Sequence, residues 1–228
     1  MKYYINEIFS SIKGEGLFIG TPIHFIRFAH CSVSCDHCDT KYNVPSVEMT
    51  EVEILERLLS FGSPISKVVI TGGEPTDQDL EALAKLLYEQ GYSLHLETSG
   101  IKRFTRRYFD WICVSPKLKF QRPLDSVIST ANEIKMSIST LEDIERAEEY
   151  RKGVGNIVGD WNNEAAVWYL HPWNDEFEIA KVGSVMDEEG ARTLKGFNSE
   201  ANRICIEHAK RAGKWRVSIQ GHKVWGVR

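Results

Sequence analysis

Short apolar runs alternate along the chain with longer amphipathic segments. Runs rich in β-branched and aromatic residues predict strands at 24–29, 67–71, 93–97, 111–115, 132–136 and 165–170, with a further strand at about 215–219. Apolar residues at helical spacing predict helices at 50–61, 77–90 and about 187–212. Thr50, followed three residues later by Glu53, predicts a capping box at the first helix. This alternation predicts an α/β fold built from βαβ units around a parallel sheet.

The segments with the most distinctive chemistry all follow predicted strands. Three cysteines come after 24–29, TGGEP occupies 71–75, ETSG occupies 97–100, SPK occupies 115–117 and HPW occupies 171–173. In parallel α/β folds the carboxyl ends of the strands lie at one edge and carry the chemistry. These five segments are therefore predicted to contribute to one site. With no internal repeat and no linker rich in Gly, Pro or Ser, the prediction is a single domain over 1–228.

Composition and charge narrow the possible partners. The formal net charge is −4, so no strong positive field exists to collect nucleic acid or an anionic membrane surface. No apolar run approaches the roughly 20 residues that a membrane helix needs, and the N-terminal residues lack the apolar core of a signal peptide. The expectation is a cytoplasmic protein without a nucleic-acid or membrane partner.

The cysteines point to metal binding rather than to disulfides. Cys31, Cys35 and Cys38 lie within eight residues, and thiolates are soft ligands that suit iron–sulfur clusters or zinc. Three thiolates would leave one iron of a 4Fe-4S cluster open to a small molecule. A zinc site with Asp36 or His37 as the fourth ligand remains an alternative. The other two cysteines, Cys113 and Cys205, are expected to be packed thiols.

The CxxxCxxC spacing after the first predicted strand resembles the signature of the radical S-adenosylmethionine (SAM) superfamily, and TGGEP resembles its SAM-binding motif. The resemblance implies a partial (βα)6 barrel and a 4Fe-4S cluster on Cys31, Cys35 and Cys38. It further implies an open iron chelated by SAM, an external electron donor and reductive cleavage of SAM to a 5′-deoxyadenosyl radical. The backbone of 72–74 is expected to receive the SAM amino group, because glycines permit close approach and a carboxylate matches an ammonium.

A narrower resemblance runs nearly end to end. EIFSSIKGEG (7–16), the pair Asp39-Thr40, the ETSG and SPK segments and the closing HKVWGVR (222–228) are similar to the 7-carboxy-7-deazaguanine synthase family. This resemblance implies conversion of 6-carboxy-5,6,7,8-tetrahydropterin to 7-carboxy-7-deazaguanine with loss of ammonia, in the biosynthesis of 7-deazapurines such as the queuosine precursor. It also implies a homodimer.

The same resemblance assigns roles to individual residues. The residues expected to bind the substrate are Ile12, Lys13, Gly14, Arg27, Thr71, His222 and Arg228. Those expected to bind SAM are His37, Gly73, Glu74, Ser99, Ser115, Pro116, Lys117 and His171. Thr40 is expected to ligate Mg2+, a cation that prefers oxygen ligands. Lys13 and His171 stand where family members often have Gln.

Other interpretations stay open at this point. Arg27 could form a structural ion pair, Thr40 could be an ordinary turn residue, and 115–117 could be a plain strand exit. At the level of function, the cysteine spacing also fits a radical SAM activating enzyme whose partner is a glycyl radical protein. A non-catalytic iron–sulfur or zinc module is a further alternative. The opening and closing motifs favour the synthase.

Overall fold

A computed structural model of the chain describes residues 1–33, 35, 38, 45–157, 160–161, 164–174, 185–186, 192–193 and 198–227. Its contacts group into two compact units. The first unit comprises Met1–Ser11, Pro22–Ile134 and Val154–Ala166, and the second comprises Ile12–Thr21, Lys135–Gly153 and Val167–Arg228. Both units are assembled from separate chain segments, and the single domain over 1–228 stays a prediction.

The described residues form strands β1 (Lys2–Ile12), β2 (Pro22–Phe28), β3 (Val47–Thr50), β4 (Lys67–Gly72), β5 (Ser93–Thr98), β6 (Trp111–Val114), β7 (Glu133–Ile138), β8 (Asp160–Trp161), β9 (Glu164–Ala165), β10 (Val167–Pro172), β11 (Val185–Met186), β12 (Arg192–Thr193) and β13 (Arg216–Val217). They also form helices α1 (Glu51–Leu59), α2 (Glu81–Glu89), α3 (Asp125–Ile128), α4 (Leu141–Val154), α5 (Ser199–Ala212) and α6 (Gly221–Trp225). None of these helices is long and apolar enough to cross a membrane.

The first unit contains a sheet whose centre is parallel. Its strands follow the order β3-β1-β2-β4-β5-β6, and the first two residues of β7 pair with β6. Strands β2, β4, β5 and β6 run parallel to one another, while β3 pairs antiparallel with β1. The central strands carry continuous apolar runs such as Val68–Ile70, which are fully buried, as expected for strands covered on both faces. The predicted α/β class and parallel sheet are confirmed.

The second unit is built around β10, which pairs in parallel with β13. Helix α5 contacts both strands and buries Ile204 and Cys205. It ends at Gly213, whose φ of 65° is the left-handed conformation that favours glycine at a helix end. The Arg151 guanidinium lies over the rings of Trp168 and Trp215, at 5.2 and 4.9 Å from their centroids.

Two predicted helices begin at other positions. The helix expected from 77 starts at Glu81, because Pro75–Asp77 forms a short 3-10 turn and the Asp77 side chain bonds to Ser32. Within the span from about 187, the described residues show helix α5, which begins at Ser199, and Arg192–Thr193 is a strand. The capping box at Thr50 is confirmed: Thr50 N donates to the Glu53 carboxylate and Glu53 N donates to Thr50 Oγ1.

Candidate active site

The loop that contains Cys31, Cys35 and Cys38, called the cysteine loop below, follows β2 in the first unit. Cys31 and Cys35 are partly exposed, and Cys38 is exposed. Burial raises the pKa of the Cys31 thiol to about 11. Within the described ranges no three Cys, His, Asp or Glu side chains converge as metal ligands, so the three-thiolate site rests on the cysteine spacing. His37 and Thr40, with predicted roles in SAM and Mg2+ binding, lie outside the described residues, as does Asp36.

A turn of two glycines at the end of β4 packs against the start of this loop. A Cβ on Gly73 would lie 1.7 Å from the carbonyl oxygen of His30 and 3.0 Å from Cys31 Cβ, and one on Gly72 would lie 2.3 Å from the backbone of Phe28. Gly73 N donates to Phe28 O at 2.9 Å and Glu74 N donates to His30 O at 3.0 Å. Only glycine fits such a close approach. Because these amides are engaged and an ammonium needs acceptors, the carbonyl oxygens are the groups of this turn that could receive the SAM amino group.

Glu74 is buried and holds the ends of β4 and β5 together. Its Oε1 accepts hydrogen bonds from Thr76 N at 3.1 Å, Thr76 Oγ1 at 2.6 Å and Thr98 Oγ1 at 2.6 Å. Its Oε2 accepts from Ser99 N at 2.8 Å and Ser99 Oγ at 2.5 Å. An ionised carboxylate offers about four lone-pair sites, so these bonds occupy its accepting capacity. Glu74 and Ser99, both predicted to bind SAM, are thus in direct contact.

The SPK segment follows β6 beside the end of β5. Ser115 N donates to Thr98 O at 2.8 Å, and Lys117 Nζ donates to Ser115 Oγ at 2.9 Å. Pro116 is buried. The structure therefore places the predicted SAM contacts from three strands, β4, β5 and β6, at neighbouring strand ends of the first unit.

Arg27 and Thr71, both predicted to bind the substrate, lie opposite each other on β2 and β4. Arg27 Nε donates to Glu7 Oε1 at 2.9 Å, and its guanidinium lies 5.8 Å from the centre of the Phe9 ring. Arg27 and Glu7 thus form an ion pair within the protein. Glu7, which opens the EIFSS segment, was not predicted as the partner of Arg27.

The second unit contains a group of charged residues around Glu15. Lys135 Nζ lies 2.5 Å from Glu15 Oε2, His171 Nε2 lies 3.7 Å from Oε1 and His222 Nδ1 lies 4.0 Å from Oε1. The Lys135 and His171 side chains are each 7% exposed and that of Glu15 is 16% exposed. Burial alone would raise the pKa of Glu15, but Lys135, His171, Lys13 and His222 hold it well below its ordinary value of 4.5.

The segment around Gly14 contacts the residues near the C-terminus. Gly221 N donates to Gly14 O at 2.8 Å, and Gly16 N donates to Ser218 Oγ at 3.3 Å. A Cβ on Gly14 would lie 2.4 Å from His222 Nδ1. These contacts bring together Gly14 and His222, two of the residues predicted to bind the substrate.

Four further residues were predicted to bind the substrate or SAM: Ile12, Lys13, His171 and Arg228. Ile12 ends β1, directly before Lys13, which is buried. His171, predicted to contact SAM, lies with the Glu15 group in the second unit. Arg228 lies outside the described residues. Glu15 and Lys135 were not among the residues predicted for the site. The signals in the sequence were an acidic residue between two glycines and a lysine inside an apolar strand.

Comparison with known proteins identifies the class to which this fold and site belong. Residues 25–159 match the model of the radical SAM superfamily. The chain belongs to that superfamily, in agreement with the cysteine loop and the glycine turn packed against it.

Closer relatives give the particular family. The chain is 33% identical to a 7-carboxy-7-deazaguanine synthase from Synechocystis sp., covering all of this chain and 95% of the relative. It is 32% identical to the synthase from Escherichia coli, with full coverage of both. The crystal structure of QueE from Escherichia coli matches with a TM-score of 0.75 and 30% identity over 97% of this chain and 95% of that chain. The chain therefore belongs to the 7-carboxy-7-deazaguanine synthase family of radical SAM enzymes, which favours the synthase over the activating enzyme and the non-catalytic module.

Proposed function

We propose that the protein converts 6-carboxy-5,6,7,8-tetrahydropterin to 7-carboxy-7-deazaguanine with release of ammonia. The observation that supports this most is the glycine turn at 72–73, which fits against the cysteine loop so closely that no side chain could be added. This feature occurs in a chain that is similar over its full length to synthases of that product.

The residues of the first unit fit an iron–sulfur cluster and SAM. Cys31, Cys35 and Cys38 would hold the cluster, because three soft thiols are a suitable donor set and leave one iron open. When bound, the cluster and SAM would supply the radical chemistry that removes a hydrogen atom from the substrate. The residues of this unit that would contact SAM are Gly73, Glu74, Ser99, Ser115, Pro116, Lys117 and His37. The SAM contact expected for His171 stays a prediction. Glu74 acts here chiefly through its bonds to Thr98 and Ser99, which fix the strand ends.

The proposed substrate contacts have matching chemistry. Arg27 suits the substrate carboxylate, since a planar guanidinium pairs well with a carboxylate, and Thr71 lies opposite it. In the second unit, Ile12, Lys13, Gly14 and His222 would contact the pterin, together with Arg228. Glu15 would keep Lys135 and His222 in fixed positions through its buried charge. A pterin ring carries several hydrogen-bond donors and acceptors, which such a group of polar side chains can satisfy.

The proposal also includes a Mg2+ ion on Thr40, an external electron donor for the cluster, a homodimer and a cytoplasmic location. Support for each comes from the family resemblance. The hydroxyl of Thr40 is a neutral, weak ligand, so the substrate would have to supply further oxygens to the ion.

The test is a reaction under anaerobic conditions. The reduced, reconstituted protein is incubated with SAM and the carboxytetrahydropterin, and products are followed by mass spectrometry. We expect the ring-contracted product and ammonia from the wild type, and neither from Cys35→Ala. If SAM is cleaved equally well without substrate and no ring-contracted product forms, the proposed reaction is wrong, although the superfamily assignment would stand.

A further inference from the structure

The carboxylate of Asp77 joins three loops of the first unit. Asp77 ends the 3-10 turn Pro75–Asp77 that follows the glycine turn. Its Oδ2 accepts a hydrogen bond from Ser32 N at 2.7 Å and its Oδ1 accepts one from Ser32 Oγ at 2.7 Å. Lys102 Nζ lies 2.5 Å from Asp77 Oδ1. Ser32 directly follows Cys31, so the loops after β2, β4 and β5 meet at one carboxylate beside the first cysteine of the motif.

The backbone beside this contact is in a disfavoured conformation. His30, directly before Cys31, has a φ of 68°, and it is the non-glycine residue with positive φ among the described residues. Side chains with a Cβ disfavour this region, so the surrounding contacts must hold it. His30 O accepts a hydrogen bond from Glu74 N, and Gln78 bonds to the backbone of Tyr4 and Ala29. Residues 74–78 therefore hold the chain both before and after the strained residue.

Ser32, the residue after Cys31, is held by polar contacts. Ser32 is exposed, so little apolar packing fixes its position. The Asp77 side chain is only 14% exposed, whereas that of Lys102 is 46% exposed. Hydrogen bonds to an ionised carboxylate are stronger than neutral ones. Val33, the next residue, is buried, and its carbonyl oxygen accepts a hydrogen bond from Cys31 Sγ at 3.0 Å. Between Cys31 and Val33, the two bonds from Ser32 to Asp77 add the charge-assisted part of the contacts that keep this part of the loop in place.

From this geometry we infer that Asp77, supported by Lys102, is a positioning residue that orders the loop of Cys31 before an iron–sulfur cluster binds. A loop already in its bound conformation loses less entropy on binding, so the cluster is held more tightly. This inference rests on the proposed function, because it assumes that Cys31 is a cluster ligand.

The experiment compares variants in the metal-free and in the reconstituted full-length protein. Asp77→Asn keeps the shape but removes the charge, and Ser32→Ala removes one of the two donors. Ser32→Thr keeps both donors and serves as the conservative rescue. Asp79→Asn is the matched control, because Asp79 is two residues away and bonds to Glu81 N instead of the loop. The measurements are hydrogen exchange at the Ser32 amide, iron release to a chelator, and the electron paramagnetic resonance spectrum of the reduced cluster with and without SAM.

For Asp77→Asn we expect Ser32 exchange and iron release about tenfold faster than in the wild type, as the loss of one charge-assisted bond implies. Its spectrum should broaden and respond less to SAM. Ser32→Ala should change in the same direction, while Ser32→Thr and Asp79→Asn should match the wild type.

Two results would overturn the inference. One is wild-type iron release and spectrum in both Asp77→Asn and Ser32→Ala. The other is an equal change in Asp79→Asn. A wild-type protein that binds no cluster would instead remove the proposed function, and hydrogen exchange in the metal-free protein would still report whether Asp77 holds Ser32.

Discussion

Replacing Glu15 by glutamine removes a buried negative charge while it keeps the shape of the side chain. In the wild type this carboxylate lies 2.5 Å from the Lys135 ammonium, which is only 7% exposed. Removing one partner of a buried pair leaves the other charge without compensation, at a cost of about 3–5 kcal/mol. For a chain of this length each kcal/mol lowers the melting temperature by roughly 2–4 °C, so the expected decrease is roughly 6–20 °C.

The assay is thermal unfolding of the metal-free protein, with two comparison variants. Glu200→Gln disrupts an exposed pair with Arg203, in which both side chains are more than half exposed, and should cost less than about 1 kcal/mol. The double variant Glu15→Gln with Lys135→Met removes both charges and should be more stable than Glu15→Gln alone. Equal melting temperatures for Glu15→Gln and the wild type, or a double variant less stable than the single one, would refute this reasoning.

The interaction of Glu15 with Lys135 predicts that the stability of the folded protein depends on pH. Because the folded-state pKa of Glu15 lies well below 4.5, its ionised form stabilises the folded state fully above that pH. The contribution is lost as the pH falls from 4.5 through the folded pKa. The stability difference between the wild type and Glu15→Gln should therefore shrink as the pH falls below 4.5. A difference that grows with acidification would contradict the sign of the shift.

Three further predictions concern the cluster, the magnesium ion and the C-terminal residues. Cys35→Ala should lose iron and sulfide, whereas Cys113→Ala, in the buried strand β6, should retain both. The opposite result would contradict the ligand assignment. Thr40→Ala should weaken the stimulation of turnover by Mg2+ while SAM binding stays nearly intact, and an unchanged response would remove Thr40 from the metal site. Deleting residues 225–228 should raise KM about tenfold or more without unfolding the protein, since the loss of one or two charge-assisted contacts corresponds to such a factor. Normal kinetics would show that residues 225–228 do not contribute to substrate binding.

The parts of the fold that the sequence predicted well are those with local causes. The runs that became β4 and β6 are continuous and β-branched or apolar, which is typical of buried parallel strands. The capping box at Thr50 likewise depends on neighbouring residues.

The features that were not predicted depend on contacts between residues distant in the chain or on a weak pattern of apolar residues. Helix α4 was missed because its sequence, LEDIERAEEYRKGV, has few apolar positions. Helix α2 begins four residues later than predicted because Asp77 bonds to Ser32, 45 residues earlier in the chain. Glu15 and Lys135 are 120 residues apart, and no local pattern indicates that they meet.

The most direct test of the central claim uses substrate deuterated at C6. The reduced protein is incubated with SAM and this substrate, and the label is followed by mass spectrometry in SAM, in 5′-deoxyadenosine and in the ring-contracted product. The family resemblance implies that the 5′-deoxyadenosyl radical abstracts hydrogen from C6 and that SAM is regenerated afterwards. The proposed reaction therefore predicts deuterium in both SAM and 5′-deoxyadenosine, together with 7-carboxy-7-deazaguanine. Formation of unlabelled 5′-deoxyadenosine, with all deuterium retained in unreacted pterin, would contradict the proposed reaction.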